Sequence, residues 1–66
     1  MVHPRIGQEV QVWYNKRLAP HMPFHGKVGT VRVVARGKGP RNHGVMIDGA
    51  LWVVPCGNLR PPQAQG

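Results

Sequence analysis

Sixty-six residues allow one small domain with a thin core, and Cys56, the only cysteine, excludes an internal disulfide. Nine Lys and Arg against Glu9 and Asp48 give a formal net charge of +7, a field that draws polyanions toward the chain. No apolar run approaches a membrane span and no signal-peptide pattern follows Met1, so the expectation is a cytoplasmic protein that does not engage a membrane.

Nine glycines and seven prolines punctuate the chain; no window of eleven residues both avoids them and shows a period near 3.6, and the apolar residues alternate in short runs instead. The first predicted strand is Glu9 to Tyr14, with Val10, Val12 and Tyr14 on one face and Gln11 and Trp13 on the other. A connection of about a dozen residues follows from Asn15, and its two prolines, Pro20 and Pro23, forbid a regular strand. The second strand is Val28 to Ala35, where Val31 and Val33 oppose Thr30 and Arg32. A basic hairpin loop, "RGKGPRN", leads to a third strand at Gly44 to Asp48, and Asp48-Gly49-Ala50 reads as a tight hairpin.

The fourth strand, Leu51 to Pro55, is apolar on both faces and reads as the central one. One helical turn through Cys56 and Gly57 then precedes a short last strand at Asn58 to Arg60. These elements predict an all-β domain, a small five-stranded barrel over residues 6–61 with flexible ends at 1–5 and 62–66. A sheet this small covers its apolar face by curling on itself.

The segments "GQEVQV", "GKVGTV", "GVMIDG" and "VVPCGNL" together resemble the SH3-like barrel superfamily, and within it the KOW motif of ribosomal proteins and transcription elongation factors. Gly26, Lys27, Gly29, Val31 and Val33 match the KOW core, Val45 and Ile47 match its next strand, and "VVPCGNLRP" is similar to the turn before the last SH3-like strand. The resemblance implies a nucleic-acid-binding module without cofactor, leaning to RNA over DNA. The chain length also suits a small phage- or plasmid-encoded protein. A second, more distant resemblance is to the plasmid-encoded type II dihydrofolate reductases. Their Val-Gln-Ile-Tyr-Pro segment aligns with Leu51 to Pro55, where Trp52 and Val54 replace the glutamine and the tyrosine.

Candidate ligand residues centre on the basic loop. Arg36, Lys38 and Arg41 present long cationic side chains, Gly37 and Gly39 let backbone N–H groups approach an anion, and Asn42 and His43 can donate to phosphates or base edges. Lys27, Arg32, Lys16 and Arg17 are expected to extend the patch on the same side of the barrel. Trp13, projecting outward, either stacks on a nucleobase or packs under the long loop near Phe24 or Met22; Trp52 reads as core or subunit interface.

An enzyme has little to work with, since only two carboxylates and no serine are present. His21 and His25 flank Pro23 without the paired cysteines of a structural zinc site, so no metal is expected. The remaining alternative is a protein-interaction module that presents Trp13, Trp52 or the long loop to a partner or to copies of itself.

Overall fold

A computed structural model describes residues 3–37, 39 and 41–63. The valine alternation builds five strands: β1 (Glu9–Val12), β2 (Val28–Val33), β3 (Asn42–Ile47), β4 (Ala50–Pro55) and β5 (Leu59–Arg60). They form one antiparallel sheet in the order β4-β3-β2-β1-β5. The all-β class, the five strands and the single 3-10 turn before the last one, Cys56–Asn58, agree with the sequence reading. A second 3-10 turn, Ala19–His21, lies within the long connection. Asn15 starts it: its Oδ1 accepts the Leu18 N–H at 3.0 Å and its carbonyl accepts the Ala19 N–H at 2.8 Å.

The sheet is curled. β4 and β5 are its two edges, yet only Cys56–Asn58 separates them in the chain. Four Cα steps reach at most about 14 Å, whereas the edges of a flat five-stranded sheet stand about 19 Å apart. The connection therefore exists only because the sheet rolls until its edges approach. Inside the roll lie Val10, Val12, Val31, Val45, Ile47, Val54 and Leu59, all buried, with Tyr14, Phe24 and Val34 packed at its margin.

Two close approaches hold the roll tight. Gly29 pairs with Val10 of β1 and faces the core, where an added Cβ would lie 2.6 Å from the Met46 carbonyl oxygen and 2.7 Å from Val45 Cγ1. Next to that contact, where β3 turns back into β4, Asp48 and Gly49 both take positive φ, 50° and 83°, as the two-residue turn matched to strand twist requires.

Two expectations are corrected. β4 is an edge strand rather than the central one; its apolar character is divided between Val54 in the core and Leu51, Trp52 and Val53, which are exposed. Val33 faces outward at 52% exposure, because the register slips at Arg32: Val31 pairs with Val45, but Val33 pairs with Gly44. One extra residue in a strand turns every later side chain to the other face. Before Ile6, Pro4 is buried and the Arg5 N–H donates to Gln8 Oε1 at 2.9 Å. Residues 1–2 and 64–66, expected to be flexible, lie outside the described residues.

Replacing Gly29 with Ala pushes a methyl group into β3 backbone and core valines. The expected loss is about 1–3 kcal/mol of stability, read in thermal unfolding as a midpoint lowered by about 4–8 °C for each kcal/mol. An unchanged midpoint would mean that β2 and β3 are not this close.

Candidate nucleic-acid interface

The basic loop runs from Val34 to Arg41 and is anchored from below. His43, the second residue of β3, is completely buried, and its Nδ1 accepts the Ala35 N–H at 3.1 Å. The sequence placed it among the donors to a ligand; alternation along β3 puts it on the core face beside Val45, where it ties the loop to the sheet. Arg41 braces the loop from within. Its Nη2 donates to the Gly37 carbonyl at 2.9 Å, and its own carbonyl accepts the Cys56 N–H at 2.8 Å.

Between this loop and the N-terminal segment lies a groove of about 420 Å³, bounded by His3 and Pro4 on one side and by Val34, Arg36, Gly37 and Arg41 on the other. Arg36 is exposed and Arg41 half-buried. The Nε of Arg41 is buried and has no hydrogen-bond partner among the described residues. A guanidinium with donors to spare beside a second guanidinium suits an anion with several oxygens. His3 was not among the expected ligand residues, because a histidine in a presumed loose terminus carries no sequence signal.

The other sequence candidates divide. Arg32, at the register slip, and Asn42, at the start of β3, are exposed beside the loop. Lys38 lies outside the described residues. Lys27 does not join the patch. It precedes β2, at the opposite end of that six-residue strand from the loop, and its Nζ donates to Asp48 Oδ2 at 3.0 Å. The strand separates the two by about 17 Å. Both partners of this ion pair are exposed, so it adds at most about 1 kcal/mol. Lys16 and Arg17 are exposed on the turn that leads to Ala19–His21, and neither lines the groove.

Trp13 projects outward, as alternation along β1 requires, and is 41% exposed. The long connection meets it through His25, while Phe24 packs on Trp52, with ring centroids 4.5 Å apart. The Arg60 guanidinium carbon sits 3.4 Å from the Trp13 ring centroid, and the His25 ring lies 4.3 Å away, tilted by 47°. A buried side chain positions the cation: Gln11 accepts Arg60 Nε at 3.1 Å through Oε1 and donates Nε2 to the Gly26 carbonyl at 3.0 Å. His25 is held in turn by the Tyr14 N–H, which donates to its Nδ1 at 3.0 Å. Arg60 was missed from the sequence, although a polar Gln11 in the middle of a valine strand was the available clue.

The Cys56–Asn58 turn bonds both to Arg41 at the groove and to Trp13, whose stack with Arg60 forms a short column. Its first residue donates to the Arg41 carbonyl, and Asn58 holds Trp13 twice, accepting its N–H at 2.8 Å and donating Nδ2 to its carbonyl at 3.1 Å.

No metal site competes with this surface among the described residues, where no three His, Cys, Asp or Glu side chains cluster. No described helix is long and apolar enough to cross a membrane. Comparison of the chain with protein-family models, with curated proteins and with solved structures finds no match.

Replacing His43 with Phe fills the same core space but leaves the Ala35 N–H without its acceptor. A loss of about 1–3 kcal/mol is expected, measured by denaturant unfolding, together with faster amide exchange in the loop. Wild-type stability in that variant would show that the imidazole is not the loop's anchor.

Proposed function

We propose that the protein is a non-catalytic nucleic-acid-binding module that grips the phosphate backbone in the groove between His3 and the Arg36–Arg41 loop. The observation that carries this reading is the groove wall: Arg36 and Arg41 both line it, and Arg41 is fixed at Nη2 by the Gly37 carbonyl and at its backbone by the Cys56 N–H. Arg36 offers a second planar fork, and such pairs of forks suit phosphate better than lysine point charges do. The carboxylates interfere little, since Asp48 is engaged by Lys27 at the far end of β2.

Beyond the groove, a base stacks on the Trp13 column through Arg60 rather than on the indole directly, because the guanidinium already occupies that ring face. Guanidinium planes stack on bases as aromatic rings do and add charge. Binding is then mainly to phosphates and only weakly sequence-specific. The curled five-stranded sheet with one turn before its last strand supports the SH3-like reading of the sequence, and with it the lean toward RNA. The reductase alternative loses further support, since Val54, standing where the active segment has its tyrosine, is buried in the core.

Titration of labelled single-stranded and duplex oligonucleotides at several salt concentrations tests the reading. Three to five phosphate contacts give a log–log salt slope of about −3 to −4.5. Substituting Arg36 and Arg41 with Gln is expected to weaken binding at least tenfold, at about 1.4 kcal/mol per tenfold, and to flatten the slope. Unaltered affinity in that double variant, with native circular dichroism, would move the site elsewhere.

A further inference from the structure

The two edges of the sheet are unlike, and the difference points to a second copy of the chain. β5 has two residues, includes Arg60, and runs into Pro61 and Pro62. A short, charged, proline-blocked strand is how a sheet edge is kept from pairing. β4 has six residues and no charge, and it exposes Leu51, Trp52 and Val53 at 51%, 43% and 73%. We propose that β4 is a self-pairing edge, along which the β4 of a second copy adds antiparallel about a twofold axis.

Strand register shows why the edge suits itself. Ile47 and Ala50 flank the Asp48-Gly49 turn and face each other, so they exchange both backbone hydrogen bonds. Alternation then directs the N–H and C=O of Ala50, Trp52 and Val54 toward β3, and those of Leu51 and Val53 toward solvent. Only the carbonyl of Pro55 joins them, since proline has no N–H. A twofold axis at Trp52 places Leu51 of each copy opposite Val53 of the other and closes four backbone hydrogen bonds. Pro55 falls beyond the paired stretch, so its missing donor costs nothing.

The side chains agree on both faces. Val53 and Val33 lie across Gly44 from each other, and a Cβ on Gly44 would meet Val33 Cβ at 3.0 Å and Leu51 Cδ1 at 3.4 Å, so these residues form a continuous apolar cover. Pairing extends that cover across the axis. On the inner face the two Trp52 indoles meet, each already backed by Phe24.

Charge selects the occupant. Each chain carries +7, and copies that meet along an uncharged strand avoid setting cation against cation, while a polyanion finds nothing on this strand to hold. A domain this small also gains proportionately more than a large one from covering apolar surface.

Sedimentation velocity of the full chain, from about 1 to about 500 μM, covers weak to moderate self-association. The expected result is a shift from the 7.3 kDa chain mass to twice that mass, strengthened by added salt because screening relieves the repulsion between copies. Oligonucleotide binding responds to salt in the opposite direction, which separates the two activities. Val53→Lys places a charge in each cross-strand pair and is expected to weaken the dimer at least about thirtyfold, roughly 2 kcal/mol, with native circular dichroism. Leu51→Lys, the other half of the same pair, is judged by the same criterion. A wild-type chain that stays at 7.3 kDa throughout, or folded lysine variants that dimerise like the parent, would overturn the proposal.

Discussion

One constraint organises this molecule: a core of seven small aliphatic side chains must be enclosed by a single sheet, with no second layer to cover it. Five strands achieve this only by rolling, and rolling demands a place where backbones nearly touch. Gly29 is that place, since its position against the Met46 carbonyl leaves no room for a side chain. The roll also brings β5 beside β1 after a single 3-10 turn. Each buried valine contributes about 1.5–3 kcal/mol, which is large against the marginal net stability of so short a chain.

The same roll builds the candidate interface from segments far apart in sequence. His43 is buried because β3 alternates, and its imidazole holds the loop on which Arg36 and Arg41 stand. Gln11 is buried because β1 lies between β2 and β5, and its two amide atoms set the height of Arg60 over Trp13. Polar side chains in the core thus position cationic ones at the surface. An amide bonded at both of its ends and an imidazole tied to a backbone N–H are stiff supports, and stiffness suits a guanidinium proposed to meet phosphate in a plane.

Much of this was legible in order along the chain. Val10, Val12, Val31, Val45 and Ile47 declare their burial by period, Asp48-Gly49 declares its turn, and the clustering of Arg36 and Arg41 in a glycine-rich loop marks the cationic end. Errors arose where a local pattern has two physical meanings. An apolar run such as Leu51–Pro55 looks the same whether a strand is covered by its own domain or left at an edge. A histidine next to a basic loop looks like part of it until the strand that carries it turns inward. The bulge at Arg32 breaks the period without any residue, such as glycine or proline, to announce it.

The sequence alone determined the class of fold and the excess of positive charge, because these follow from composition and from spacings of a few residues. Tertiary structure alone decided which strand lies at the edge, which cations share a surface and which are taken up by other partners. Lys27 spends its charge on Asp48 across 21 positions, and Arg60 reaches Gln11 across 49. Such pairings depend on how far the sheet curls, and curl is a property of all five strands packed together rather than of any one of them.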